Sequence, residues 1–102
     1  MMNKVEEMID SFHLSCGAEA RYIDLVSEIG ELGKELLKGS KYHSQPFVLP
    51  TSANEEMGDC LFSLLALCAE LQIDPEEALD AAIAKYRRRF QSNGSIGHDF
   101  NE

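Results

Sequence analysis

Two pairs of acidic residues carry the chemistry that this sequence is best equipped to perform. Glu28 and Glu31 form the first pair, and Glu56 and Asp59 form the second. Within each pair the residues stand three positions apart, so on a helix both carboxylates lie on one face, with Cβ atoms about 5–6 Å apart. If the two pairs faced each other, their oxygen atoms would offer a site for a hard cation such as Mg²⁺, with Mn²⁺ as an alternative.

Each acidic pair lies beside apolar residues at helical spacing. Leu25, Ile29, Leu32 and Leu36 accompany the first pair, and Cys60, Leu64 and Leu67 accompany the second. A carboxylate beside a core stripe loses part of its hydration, which costs free energy unless a cation or a hydrogen-bond donor compensates. The alternative is that these are ordinary solvated carboxylates on helix surfaces, and spacing alone does not decide between the two interpretations.

Length, charge and cysteine content limit the class of protein. The 102 residues suit one domain, and 18 acidic against 9 basic residues give a net charge of −9. Nucleic acids and anionic membranes both attract positive surfaces, so we expect neither as a partner. Three cysteines cannot all pair within one chain, and the N-terminus lacks the apolar segment of a signal peptide. These features predict a reduced, cytoplasmic protein.

Helical periodicity dominates the chain, and sustained apolar–polar alternation is absent. We predict an all-α, four-helix bundle-type domain over residues 1–92, followed by a polar tail over residues 93–102. The bundle is expected to dimerise through the third helix and its neighbours, as a homodimer or homotetramer, because that helix is apolar around most of its circumference. The predicted helices span roughly residues 4–12, 19–38, 52–72 and 75–92.

Local signals set the predicted helix ends. Gly39 is expected just beyond the second helix as its C′ residue. Ser52 and Glu55 have the spacing of a capping box at the start of the third helix. Asp74 is expected to cap the fourth helix, with Pro75 at its first position. The connection over residues 40–51 is long for a bundle, so it either covers the site or is a flexible link between two antiparallel helices.

At the acidic pairs the chain resembles the MazG-like family of all-α nucleoside triphosphate pyrophosphohydrolases. The family signature is Glu-Glu-x-x-Glu, a variable gap, and Glu-x-x-Asp. Residues 27–32 read Ser-Glu-Ile-Gly-Glu-Leu, and residues 56–59 read Glu-Met-Gly-Asp. The end of the fourth helix, from Lys85 to Phe90, is similar to the family's Lys-x-x-x-Arg-Phe ending. The resemblance covers roughly residues 21–90, and the combination of motifs is more specific than either acidic pair.

One position departs from the family pattern. Ser27 stands where relatives usually have the first Glu of the signature. The other four carboxylates, which relatives use as metal ligands, are matched here by Glu28, Glu31, Glu56 and Asp59. Asp24, about one turn earlier, or Glu55 could take the place of the missing carboxylate. The departure bears on reaction rate and on the number of metal ions more than on metal binding.

The resemblance implies hydrolysis of a nucleoside triphosphate between its α and β phosphates, which gives a monophosphate and pyrophosphate. Mg²⁺ held by a few carboxylates keeps positions open for phosphate oxygens and water. Glu31 or Glu55 would take the proton of that water as general base. In so acidic a chain the remaining phosphate charge requires local cations. Lys85, Arg88 and Arg89 are the first candidates, and Lys38 and Lys41 are the second.

Two other functions are compatible with the sequence. Phosphoribosyl-ATP pyrophosphohydrolases carry similar acidic motifs, so the acidic pairs do not separate that substrate from other triphosphates. A non-catalytic acidic helical module that binds a partner protein is the alternative from a different class. The chain has no Trp, and Phe12, Tyr22 and Phe62 are expected in the core, which leaves the pocket for the base unassigned.

Overall fold

The computed structural model describes residues 1–93, and within them all regular structure is α-helical. The helices are α1 (Met2–Ser11), α2 (Ala18–Lys38), α3 (Ala53–Leu71) and α4 (Pro75–Asn93). The predicted all-α class is therefore confirmed, and each helix begins and ends within about two residues of its predicted limits. Beyond Asn93, the predicted polar tail lies outside the described residues.

The chain divides into two compact units, of which the first is Met1–Gln72 and the second begins at Ile73. The first unit contains α1, α2 and α3, and the second contains α4. The single domain over residues 1–92 stays a prediction. Within residues 1–93, no helix is both long enough and apolar enough to cross a bilayer.

Helices α2 and α3 pack along their length in opposite directions. Near the start of α2, Arg21 lies over the ring of Phe62, with 6.0 Å between the guanidinium carbon and the ring centroid. Near the end of α2, Glu35 accepts a hydrogen bond from Ser52, just before α3 begins. Residues near the start of α2 therefore contact the later part of α3, and residues near the end of α2 contact the start of α3. The predicted antiparallel arrangement is confirmed.

The buried core is small. Val5 and Ile9 of α1 pack with Leu65 and Ala66 of α3, and no large side chain in residues 1–93 is fully buried. The partly buried apolar residues around this cluster are Met2, Leu14, Phe62 and Ala69. Two core predictions are wrong, because Phe12 and Tyr22 are 64% and 58% exposed. So modest a core leaves much apolar surface in contact with water.

The link between α1 and α2 is tied to the end of α3 by one carboxylate. Glu70 Oε1 accepts hydrogen bonds from the Ser15 hydroxyl at 2.9 Å and from the Cys16 backbone N–H at 3.0 Å. These donors favour the ionised form, so they lower the pKa of the Glu70 carboxyl group. The exposed Cys16 is a free thiol, as are Cys60 and Cys68.

The helix-end predictions have mixed outcomes. Asp74 caps α4 as expected, since its Oδ1 accepts the backbone N–H of Glu76 at 2.9 Å. The capping box at Ser52 is wrong, because Ser52 has helical backbone angles and makes no side-chain cap hydrogen bond. Its hydroxyl donates to Glu35 of α2 instead, at 3.0 Å. The expected capping hydrogen bond within α3 is thus replaced by a hydrogen bond to α2.

Gly39 follows α2 as predicted, but it does not have the left-handed backbone conformation that is usual for a glycine at the C′ position. Its φ is −62°, which any residue can adopt, and the positive φ values fall on Lys41, Tyr42 and His43. The following loop folds back over Gly39, where the Val48 N–H donates to the Gly39 carbonyl at 2.8 Å. A Cβ at Gly39 would lie 2.5 Å from the Val48 carbonyl oxygen and 2.6 Å from the nearest Phe47 ring atom. Close approach of the chain, not turn geometry, requires this glycine.

We expect Gly39→Ala to destabilise the protein by about 1–3 kcal/mol, the usual range for overpacking, because the loop must move to admit the methyl group. Gly30→Ala is the matched control. It lies inside α2 with nothing within 4 Å of the added Cβ, so it should stabilise by roughly 0.5–1 kcal/mol through helix propensity. Urea denaturation followed by circular dichroism measures both changes, and equal effects from the two substitutions would contradict the packing account.

Candidate metal centre

Two rows of polar side chains face each other across the α2–α3 contact. Both rows have the spacing i, i+4, i+7, i+11, which keeps four side chains on one face of a helix. The α2 row consists of Asp24, Glu28, Glu31 and Glu35, and the α3 row consists of Ser52, Glu56, Asp59 and Ser63. Because the helices are antiparallel, the end of one row meets the beginning of the other.

Three carboxylates converge in the middle of these rows. Glu28, Glu56 and Asp59 each offer one oxygen, and these oxygens all lie within 4.8 Å of one another. Glu28 and Glu56 are partly buried, whereas Asp59 is exposed. The structure therefore brings together three of the four predicted ligands. Glu31, the fourth, is exposed and is not part of the group of three.

The electrostatics of this triad favour a bound cation. Partial removal from water raises the pKa of Glu28, and the charges of Asp59, Asp24 and Glu31 raise it further. The pKa of Glu56 is raised in the same way, first by lost hydration and then by Asp59, Glu31 and the other nearby carboxylates. Since the carboxylates repel one another, a divalent cation among them would relieve the repulsion.

The donor set fits a hard divalent cation. Two oxygens bound to the same Mg²⁺ lie at most about 4.2 Å apart, twice the usual Mg²⁺–oxygen distance, and Ca²⁺ allows somewhat more. The three oxygens of the triad lie within 4.8 Å of one another, which is close to this limit. Only three protein oxygens are needed, since Mg²⁺ keeps several water or phosphate ligands.

A neutral thiol lies next to the triad on the core side. Cys60 follows Asp59 in α3 and is only 9% exposed. Burial raises the pKa of its thiol, and the charges of Glu28, Asp59 and Glu56 add to the effect. The raised pKa keeps the metal-free thiol protonated at neutral pH, and a sulfur ligand does not suit a hard cation such as Mg²⁺.

The two candidate general bases differ in their relation to the triad. Glu31 lies one turn from Glu28, and its charge raises the pKa of both Glu28 and Glu56. Glu55 is exposed in the first turn of α3, and its charge is not among the main causes that raise the pKa of Glu28 or Glu56. Of the two predicted bases, Glu31 is therefore the one beside the candidate metal centre.

The predicted phosphate-binding cations occupy two regions. On α2, the Lys38 ammonium donates to Glu35 Oε1 at 3.0 Å, and this hydrogen bond raises the pKa of Lys38. Lys85, Arg88 and Arg89 lie on α4, in the second unit, where the Lys85 ammonium stands 5.0 Å from the centre of the Tyr86 ring. Their contact with substrate stays a prediction.

Asp24 has a structural partner that its sequence position did not reveal. Its Oδ2 accepts a hydrogen bond from the Ser63 hydroxyl at 3.1 Å and lies 3.7 Å from Arg21 Nη1. The sequence reasoning offered Asp24 as a substitute for the carboxylate missing at Ser27. Here the carboxylate is engaged at the end of the α2 row, and it is not part of the triad.

Sequence reasoning missed the polar contacts at both ends of the rows. Ser63 is buried against Asp24, and Ser52 pairs with Glu35. The signal was present, because extending each acidic pair by one turn in both directions at helical spacing reaches these four residues. Arg21, 8% exposed, gave no such signal, since only the fold buries it.

Comparison with known proteins identifies the family of this chain. Residues 17–92, three quarters of the chain, match the family model of the MazG nucleotide pyrophosphohydrolase domain. Searches of curated proteins and of solved structures gave no significant match. The matched segment contains α2, α3, the triad and nearly all of α4. The chain therefore belongs to the MazG nucleotide pyrophosphohydrolase family, whose members are hydrolases acting on acid anhydrides.

Proposed function

We propose that this protein is a Mg²⁺-dependent nucleoside triphosphate pyrophosphohydrolase that cleaves between the α and β phosphates. The products are a nucleoside monophosphate and pyrophosphate, and the substrates are non-standard or excess (deoxy)nucleotides in the cytoplasm. The observation that carries the proposal is the convergence of Glu28, Glu56 and Asp59 within a MazG domain match. Mn²⁺ is expected to replace Mg²⁺.

Glu28, Glu56 and Asp59 would hold the cation, which when bound supplies positive charge to the phosphate oxygens and acidifies water. In hydrolysis a water oxygen bonds to one of the two phosphorus atoms, and the bridging oxygen leaves with the other. The water must lose a proton as this bond forms. Glu31 is the proposed acceptor, because it lies beside the triad without belonging to it, and Glu55 is the second candidate.

Charge balance gives the basic residues their proposed role. The triad carries up to three negative charges and the substrate's phosphates bring several more, so one divalent cation leaves a net negative site. Lys38 lies near the same end of α2 as Glu31 and Glu35 and is the proposed phosphate-binding cation on that helix. Lys85, Arg88 and Arg89 are proposed as the additional phosphate contacts.

Product analysis tests the function directly. The purified protein is incubated with Mg²⁺ and a panel of standard, deoxy- and modified nucleoside triphosphates, together with phosphoribosyl-ATP. Release of pyrophosphate and monophosphate in equal amounts is the expected result. Direct release of orthophosphate would contradict α–β cleavage, and turnover of phosphoribosyl-ATP alone would assign the chain to that narrower activity.

We also propose that the active form is a homodimer or a homotetramer. The core is small, and large apolar side chains on α2 and α3 are exposed, including Val26, Ile29, Leu61 and Leu64. Val26 and Ile29 lie one turn apart on α2, as Leu61 and Leu64 do on α3, and monomeric proteins rarely expose large contiguous apolar patches. Burying them against a second copy would supply the apolar contact that a chain of this length lacks.

Sedimentation equilibrium should return two or four times the chain mass of 11.4 kDa. Ile29→Glu places a charge on the exposed apolar side of α2 and should shift the protein toward monomer. Val48→Glu is the matched control, since Val48 is 68% exposed in the loop and Ile29 is 53% exposed on the helix. A monomeric wild type at tens of micromolar would contradict the proposal.

A further inference from the structure

Two hydrogen bonds of the same kind bracket the triad. At one end the Ser63 hydroxyl of α3 donates to Asp24 of α2 at 3.1 Å. At the other end the Ser52 hydroxyl donates to Glu35 of α2 at 3.0 Å. Each joins the terminal members of the α2 row and the α3 row, and the triad lies between them. The two serines are eleven residues apart, about 16 Å along a helix axis.

Apolar packing between α2 and α3 defines their register less sharply than directional contacts do, among which the Arg21–Phe62 contact is a third. Leu25, Leu32 and Leu36 of α2 are only partly buried, and apolar attraction does not depend on direction. Sliding one helix past the other by a full turn moves side chains by about 5.4 Å, which would separate carboxylates that now lie within 4.8 Å of one another. Hydrogen bonds, which weaken steeply with distance and angle, resist such a shift.

The carboxylate acceptors of both bonds are themselves held in place. Arg21, buried to 8% exposure, stands 3.7 Å from Asp24 and donates from Nη2 to the Leu14 carbonyl at 2.6 Å. Lys38 donates to Glu35 at 3.0 Å. The acceptors are thus fixed by neighbouring residues on the α2 side, and the serines transfer that position to α3.

We propose that Asp24–Ser63 and Glu35–Ser52 are positioning contacts of the metal centre, which set the α2–α3 register in which Glu28 meets Glu56 and Asp59. This inference rests on the proposed function, because it assumes that the triad binds a divalent cation. Neither serine touches the cation or the substrate. Each acts indirectly, by holding α3 in place against α2, because the carboxylates that they bond lie outside the triad.

The test uses Ser52→Ala, Ser63→Ala and the double variant, with Mn²⁺ binding measured by electron paramagnetic resonance well below the melting temperature. If either bond alone holds most of the register, each single variant should weaken Mn²⁺ binding by about 3-fold and the double variant by about 30-fold or more. Independent local effects at sites this far apart would instead multiply to about 9-fold. The excess is the signature of a shared register.

Two further variants complete the experiment. Ser52→Thr keeps the hydroxyl group and should restore binding, whereas Ser11→Ala, at the exposed end of α1, should leave it unchanged. Unchanged Mn²⁺ affinity in the double variant, or a loss no greater than the product of the single losses, would overturn the positioning role while leaving the metal site intact. Absence of Mn²⁺ binding by the wild type would overturn the metal site and this inference together.

Discussion

Glu56→Gln and Asp59→Asn should each lower the rate of pyrophosphate release by at least about 100-fold. Both substitutions keep the size of the side chain and remove a charged oxygen ligand from the triad. Loss of a residue that only orients a metal ligand costs about 10–100-fold in affinity or activity, so loss of a ligand itself should cost more. Steady-state assays at saturating Mg²⁺ and nucleoside triphosphate measure the effect.

A matched control separates the triad from the general acidity of the chain. Glu7→Gln removes one negative charge from an exposed position on α1 and should leave the rate within about 2-fold of the wild type, as expected for a solvated surface charge. If Glu56→Gln and Glu7→Gln behaved alike, the triad would not be the reaction centre. Excess Mn²⁺ is expected to restore part of the activity of Asp59→Asn, since the amide oxygen remains a weak ligand.

Glu31→Gln is expected to separate catalysis from metal binding. Because Glu31 lies outside the group of three oxygens, Mn²⁺ affinity should change little while kcat falls by about 100-fold, within the range for a general base. The same substitution at Glu55 should have a much smaller effect on kcat. The reverse order would transfer the role of base to Glu55.

Sequence alone predicted the helices and the acidic pairs because both depend on local spacing. An i, i+3 pair can be recognised directly in the amino-acid sequence. So can an Asp-Pro helix start such as Asp74-Pro75. The Ser52 capping box failed because a competing acceptor, Glu35, comes from another helix. Ile29 appeared to belong to the α2 core stripe, yet it is 53% exposed, since α3 packs on the adjoining face.

The sequence did not predict which residues of different helices are in contact. Of the four ligands suggested by the family resemblance, three converge in the structure and Glu31 lies beside them, an arrangement set by how α2 packs on α3. Likewise, nothing in the sequence around Arg21 indicates burial, because an arginine is normally exposed unless a partner such as Asp24 accepts it. Tertiary contact, not propensity, determines each of these outcomes.

Glu28→Gln should have opposite effects on stability with and without metal. In EDTA at pH 7 the variant should melt at a higher temperature than the wild type, because the raised pKa of Glu28 means that its ionisation opposes folding. With Mg²⁺ at about 100 times its dissociation constant, the wild type should gain about 2.7 kcal/mol. For a domain of this size that gain corresponds to a rise of about 10 °C or more in Tm. The variant should gain little.

The pH dependence of the metal-free proteins provides the internal check. A carboxyl group whose pKa is raised by folding costs no stability below its unfolded pKa of about 4.5. The full cost is present above its folded pKa. The difference in Tm between Glu28→Gln and the wild type should therefore be largest at pH 7 and should disappear as the pH falls below 4.5, where both side chains are neutral. A variant less stable than the wild type in EDTA at pH 7 would mean that Glu28 contributes to the fold. In that case the ionised carboxylates of the triad would not destabilise the metal-free protein, as the proposed metal site requires.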